Sequence, residues 1–138
     1  MRLDLYQAET ARIAAEQQAI LNAARAIIDS GRPLTPLEQS GVLHALQIII
    51  ENAIGKAKHW LKASNQTVPV SAYDAFQALA NANAINQERL SEWNAVIGLR
   101  NRIVHDYMNI EFDKVLTLLR EERDRLVIDF LLIKISTG

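Results

Sequence analysis

The sequence predicts an all-α protein, folded as an up-and-down bundle of about five helices. Only three prolines and five glycines occur in 138 residues, which leaves few positions for turns. Alanine, leucine, isoleucine, glutamine, glutamate and arginine are frequent, and these residues favour long helices over strands. Long helices joined by short loops are typical of an up-and-down bundle. No linker is long enough to separate two domains, so we expect a single domain over residues 1–138.

The first two predicted helices have recognisable ends. Apolar side chains recur at nearly seven-residue spacing over Leu3–Asp29, and Gly31 is well placed to cap the end of this first helix. The second helix begins at a capping box, in which Thr35 and Glu38 bond each other's backbone, with a proline at the first helical position. It is predicted to stop near Ser64.

Three further helices complete the predicted bundle. Ser71 opens a short third helix, which an Asn/Ala-rich break over residues 81–86 follows. The fourth helix is predicted over residues 87–104. The fifth begins near Glu111 and carries apolar side chains at helical spacing to Ile133. The alternating charges of residues 120–125 are typical of the exposed face of such a helix.

Composition excludes several kinds of site and compartment. Because the sequence has no cysteine, disulfides, zinc–thiolate sites and thiol nucleophiles are excluded. No Gly-rich phosphate loop and no zinc motif is present, and we expect neither a metal nor a cofactor. The first residues carry charges where a signal peptide needs an apolar run, and no stretch approaches the ~20 apolar residues of a membrane span. We therefore expect a cytoplasmic protein without a membrane segment.

The net charge is −1 and the isoelectric point is about 6.3. Nucleic-acid-binding proteins usually carry a basic surplus, so this balance argues weakly against RNA as a partner. Any RNA site must then be a local patch, or must be assembled from two subunits.

The fourth helix carries a charged side chain in its apolar stripe. Trp93 and Ile97 are followed, at the next stripe position, by Arg100. A guanidinium is costly to bury without a partner. Either a carboxylate such as that of Glu51 pairs with it, or the stripe opens there into a functional cleft.

A neighbouring face of the same helix is small and polar, with Asn94, Gly98, Asn101 and His105 in line. Arg100 and His105 lie five positions apart, which is about 140° on a regular helix, so they do not converge within it. Two arrangements would bring them together: the helix ends at His105 and the following turn redirects the imidazole, or two copies of the chain share one site.

The segment RNRIVHDY, from Arg100 to Tyr107, fits the R-x4-6-H pattern of HEPN domains and the longer R-x4-H-x-Y form of their HepT-like group. The segments Leu43 to Leu61 and Ser71 to Ala80 resemble the second and third helices of that group. The sequence is thus identified as a HepT-like member of the HEPN family. This resemblance implies a symmetric homodimer, in which two R-x4-H segments face each other across a composite cleft.

The resemblance implies a ribonuclease toxin that cleaves RNA without a metal. The 2'-hydroxyl would attack the adjacent phosphorus, leaving a 2',3'-cyclic phosphate and a 5'-hydroxyl. His105 would transfer protons, since histidine titrates near neutral pH, and Arg100 would hold phosphate oxygens with a planar, permanently charged group. Asn101 would orient the phosphate or ribose, and Arg102, three residues before His105, would add positive charge on the same face.

Tyr107 has a different implied role. In the HepT-like group this tyrosine accepts AMP groups from a partner, a minimal (MNT-type) nucleotidyltransferase that acts as antitoxin. Added phosphates two residues from His105 would repel RNA and occlude the cleft. The alternative is that Tyr107 stacks on an RNA base.

Less specific explanations remain open at each position. Arg100 could form only a structural ion pair, and His105 could serve as a cationic helix cap. At the level of the whole protein, the alternative to the enzyme is a non-catalytic HEPN module that binds a nucleotide or a partner protein. The intact pair of Arg100 and His105 favours the enzyme, whereas the mildly acidic balance slightly favours the binding module.

The second helix carries the other candidate charges. His44 and His59 are predicted to be surface residues, because no carboxylate pattern near them suggests a metal pair. A small basic cluster near the end of this helix is expected to be solvated, or at best to hold an RNA backbone. It comprises Lys56, Lys58, His59 and Lys62.

Overall fold

The computed structural model describes residues 3–135, which form six α-helices, two short 3-10 turns and no strand. The helices are α1 (Leu3–Asp29), α2 (Pro36–Ala63), α3 (Ala72–Asn81), α4 (Leu90–His105), α5 (Phe112–Arg120) and α6 (Asp124–Leu132). The 3-10 turns are Gln87–Arg89 and Tyr107–Asn109. None of the described helices combines the length and the apolar composition that a membrane span requires. The all-α prediction is therefore confirmed.

The predicted ends of α1 and α2 are confirmed. Gly31 follows α1 with φ of +89°, a left-handed conformation that glycine adopts without strain. At the start of α2 the Glu38 N–H donates to Thr35 Oγ1 at 3.1 Å, and the Thr35 N–H donates to Glu38 Oε1 at 2.8 Å. Both halves of the capping box are thus formed.

Helix α2 is the centre of the bundle and contacts α1, α3, α4 and α6. It contributes more buried side chains than any other described helix. Next to it, aromatic rings from three helices pack together: Phe76 of α3 stacks on Trp93 of α4 at 4.2 Å, and Phe130 of α6 meets Trp93 edge-on at 5.1 Å. This aromatic cluster fixes α4 against α3 and α6.

The prediction of a single fifth helix is wrong, because the chain turns between α5 and α6. Glu122 has a φ of +56°, and the Arg123 N–H returns to the carbonyl of Leu118 at 3.0 Å. The charged run over residues 120–125 contains this turn and is not one helix face, and its side chains are exposed as predicted except that of Asp124. Asp124 is 1% exposed and receives the Arg25 guanidinium of α1 at 2.8 Å. A buried carboxylate needs such a partner, so this ion pair ties the turn to α1.

The prediction that the basic cluster on α2 is exposed to solvent is wrong for Lys56. This side chain is 1% exposed, and its Nζ donates to the carbonyls of Phe130 at 2.7 Å, Leu131 at 3.0 Å and Ile133. Lys56 therefore caps the carbonyl end of α6 from within the core, where a cation also complements the helix dipole. Burial lowers the pKa of Lys56 to about 8. It is not available to an RNA backbone.

Candidate functional site

Helix α4 presents the R-x4-H segment at its carbonyl end. Trp93, Val96, Ile97 and Ile103 are buried and hold the helix in the bundle. Asp106 leaves the helical conformation with φ of −146° and ψ of 42°, while its N–H still bonds the Arg102 carbonyl at 2.8 Å. Helix α4 therefore ends at His105, as the first of the two predicted arrangements requires. Tyr107 then begins a 3-10 turn.

Arg100 is held on one side but is not saturated with partners. Its Nη1 donates to Asn101 Oδ1 at 3.0 Å, and its Nη2 lies 3.8 Å from Glu51 Oε2. The Nε of Arg100 is buried and has no hydrogen-bond partner among residues 3–135. Strong arginine–carboxylate pairs are bidentate and close to 2.8 Å. The pair with Glu51, one of the two alternatives that the sequence left open, thus exists, but at 3.8 Å it leaves the guanidinium with spare donors.

His105 is the last residue of α4 and is exposed to solvent. Its imidazole makes no hydrogen bond or ion pair with the rest of the described chain. The side chain of Arg102, one helical turn earlier, is also exposed and likewise makes no hydrogen bond or ion pair within residues 3–135. Both groups are therefore open to a ligand, and a cation at a helix carbonyl end is electrostatically favoured.

One chain does not join Arg100 to His105. No hydrogen bond links the two side chains within residues 3–135, and α4 is regular up to its last residue. The 140° separation inferred from helical spacing therefore holds. Asn101 lies between the two directions, and its Nδ2 donates to the hydroxyl of Tyr73 at 3.5 Å.

Tyr107 is 46% exposed, and its hydroxyl donates to Ser40 Oγ of α2 at 3.4 Å. Ser40 was not identified from the sequence. It begins a polar stripe on α2 that continues through His44 and Gln47 to Glu51, at the four-three-four spacing of one helix face. The two ends of this stripe touch Tyr107 and Arg100, so the stripe was the signal that sequence reasoning missed. His44 is exposed, as predicted.

A groove of about 490 Å³ lies between α4 and α5. Its cationic side chains are Arg102, Lys114 and Arg123, and Glu121 is its one carboxylate among the described residues. Two of the cations are paired, Lys114 with Glu111 at 3.3 Å and Arg123 with Glu121 at 2.8 Å. Within residues 3–135, no three histidine, aspartate or glutamate side chains form a group able to hold a metal ion.

Two solved structures share this fold. One is a tri-AMPylated HEPN toxin of Shewanella oneidensis in complex with an MNT antitoxin. It superposes with a TM-score of 0.71 at 25% identity, covering 95% of this chain and 98% of that one. The other is a toxin–antitoxin complex with AMP-PNP, with a TM-score of 0.71 at 24% identity, covering 95% of this chain and 99% of that one. Both neighbours confirm the HEPN-like fold expected from the motif.

Sequence comparison leads to the same family. The mRNA nuclease HepT of Shewanella oneidensis is 33% identical over 82 residues, which are 59% of this chain. The chain spans 62% of that relative's length. The family model described as "Ribonuclease HepT-like" matches residues 16–130, which is most of the chain and includes all of Arg100–Tyr107. The chain therefore belongs to the HepT-like ribonuclease family.

Proposed function

We propose that this protein is a metal-independent endoribonuclease toxin, regulated by nucleotidylation of Tyr107. One observation carries the proposal: a guanidinium with unused donors and an exposed, unpartnered imidazole occupy the end of one helix, at Arg100 and His105. The family match supports it, as does the relative named an mRNA nuclease.

The chemistry follows from the two side chains. An imidazole removes the proton of the ribose 2'-hydroxyl, whose oxygen then attacks the adjacent phosphorus. The bond from phosphorus to the 5'-oxygen breaks, and an imidazolium returns a proton to that oxygen. The products are a 2',3'-cyclic phosphate and a 5'-hydroxyl. Arg100 neutralises the additional charge of the phosphorane, which is the largest electrostatic demand of the reaction.

The site is completed by a second copy of the chain. Because Arg100 and His105 point in different directions on one helix, an imidazole from the partner copy would face the guanidinium. Mixing an Arg100→Ala protein with a His105→Ala protein should then restore part of the activity, since one intact composite site can form. Two sites confined to single chains would give no recovery.

Regulation would act through Tyr107. A nucleotidyltransferase antitoxin transfers AMP from ATP to the phenolic oxygen, which forms a Tyr–O–P bond and releases pyrophosphate. Tyr107 is exposed and held only by a 3.4 Å hydrogen bond to Ser40, so its oxygen is accessible. The added phosphate brings negative charge next to His105 and repels RNA phosphates. The tri-AMPylated structural neighbour in complex with its MNT antitoxin supports this regulation.

The test compares RNA cleavage by wild type with that by His105→Ala, using His59→Gln as the matched control. His59 lies two turns beyond Glu51 and stacks on Tyr6 at 4.5 Å, away from α4. We expect the control to cleave, the His105 variant to be inactive, and the products to carry cyclic phosphate and 5'-hydroxyl ends in excess EDTA. Cleavage by the His105 variant, or loss of activity in EDTA, would contradict the mechanism. If the wild-type protein binds RNA or a nucleotide but does not cleave RNA, the non-catalytic binding module is favoured. The net charge of −1 is compatible with such a module.

A further inference from the structure

Tyr73 of α3 lies over the exposed face of α4. Its hydroxyl is 3.7 Å from the point where a Cβ on Gly98 would stand, and it accepts the Asn101 Nδ2 hydrogen at 3.5 Å. The side chain is 40% exposed. Neither the R-x4-H-x-Y pattern nor the ribonuclease mechanism assigns it a role.

This hydroxyl is on the same side of α4 as His105. Gly98, Asn101 and His105 follow at intervals of three and four residues, which places them within about 60° of one another around the helix. Tyr73 contacts the first two, so its hydroxyl lies about one turn before the imidazole, on the same face. Arg100 points elsewhere, but it is connected to this face through Asn101.

The hydrogen bonds around Asn101 leave the hydroxyl proton of Tyr73 without an acceptor in the described part of the chain. Asn101 Oδ1 accepts from Arg100 Nη1 at 3.0 Å, and its Nδ2 donates to the Tyr73 hydroxyl. That hydroxyl therefore acts as an acceptor inside the protein, while its own proton has no acceptor among residues 3–135. A phenol has one proton to donate, and here it is free for a ligand on the His105 face.

We propose that Tyr73 is a substrate-binding residue, whose hydroxyl donates to a non-bridging phosphate oxygen of RNA held beside His105. The inference rests on the proposed ribonuclease function. A phosphate oxygen is an anionic acceptor and matches the free proton. Through Asn101, which bonds both side chains, Tyr73 would also help to fix the orientation of Arg100.

The first experiment uses Tyr73→Phe, with Tyr6→Phe as the matched control on α1. The probe is a short synthetic RNA spanning a cleavage site mapped with wild-type protein, together with its uncleavable analogue carrying 2'-deoxyribose at that site. We expect Tyr73→Phe to lower kcat/KM about tenfold or more, and to weaken binding of the analogue, because a hydrogen bond to a charged group is lost. The control should stay within twofold of wild type, and melting temperatures should be unchanged.

A second measurement distinguishes a direct hydrogen bond from Tyr73 to the phosphate from an indirect effect of Tyr73 on Asn101 and Arg100. Sulfur in place of one non-bridging oxygen gives two diastereomers, and wild type should cleave one of them more slowly, since sulfur accepts hydrogen bonds poorly. Tyr73→Phe should reduce that preference. An unchanged kcat/KM and diastereomer preference in Tyr73→Phe, with wild type active, would overturn the role of Tyr73 and leave the ribonuclease standing. Absence of cleavage by wild type would overturn both.

Discussion

Lys56 makes the stability of this protein depend on pH in a direction that can be predicted. Its ammonium is buried against the carbonyl end of α6, and burial lowers its pKa from 10.5 to about 8. Between these two values the unfolded chain holds a proton that the folded chain has released. Stability therefore rises as the pH increases from about 8 to about 10.5, and below pH 8 the folded state carries the full cost of the buried charge.

The size of this gain follows from the same two pKa values. Each unit of difference corresponds to roughly 1.4 kcal/mol, so raising the pH from 7.5 to 10 should add about 2 kcal/mol to the free energy of unfolding. This is an upper bound, because the three carbonyl oxygens and the Phe130 ring, at 5.4 Å, favour the charged ammonium. Lys56→Met keeps an unbranched chain of similar length and removes the titrating group.

The assay is urea unfolding of both proteins at pH 7.5 and pH 10, followed by the fluorescence of Trp60 and Trp93, which are buried in the folded state. All other ionisable groups are common to both proteins, so their contributions cancel in the comparison. We expect wild type to gain stability relative to Lys56→Met as the pH rises. Equal pH dependence in the two proteins, or a relative loss in wild type, would refute the reasoning.

Three further predictions concern single contacts. Asp124→Ala should destabilise the protein by about 3–5 kcal/mol in urea unfolding, since it leaves the largely buried guanidinium of Arg25 unpaired; a loss below about 1 kcal/mol would show that the pair is dispensable. Thr35→Ala should cost about 1 kcal/mol by the same assay, because α2 loses its side-chain cap; no change would mean that the cap contributes nothing. With the nucleotidyltransferase and labelled ATP, Tyr107→Phe should abolish incorporation, whereas Ser40→Ala should retain it because Ser40 only holds the hydroxyl; labelling of the Phe variant would place the acceptor elsewhere.

Local signals predicted most of the fold. The capping box at Thr35 and the glycine after α1 depend on residues close in sequence, and both ends were predicted correctly. The division between α5 and α6 was missed because its cause is distant: Asp124 turns inward to meet Arg25, 99 residues away. Lys56 was misread for the same reason, since its carbonyl partners lie more than 70 residues further along the chain. From sequence alone, a charged side chain is predicted to be exposed, because its distant buried partner is not visible in the local pattern.

The sequence indicated candidate site residues but not the side chains that surround them. The R-x4-H-x-Y segment indicated Arg100, His105 and Tyr107, and family membership follows from the whole match. Ser40 and Tyr73 were missed because each approaches α4 from another helix, through a contact that no local pattern specifies. Polar side chains in line on a packed helix would have indicated that this face of α2 borders the site. The stripe from Ser40 to Glu51 is such a pattern.

The regularity of α4 has a consequence for how the site is assembled. The helix keeps its hydrogen bonds to its last residue, and the turn that follows directs Tyr107 towards α2, without bringing the imidazole of His105 to Arg100. Ending the helix at His105 therefore does not complete the site within one chain. In the composite site that we propose, a second copy would supply an imidazole opposite Arg100 without distorting the helix, whereas closing the gap within one chain would break backbone hydrogen bonds of α4. We therefore expect the composite arrangement, because it leaves α4 intact.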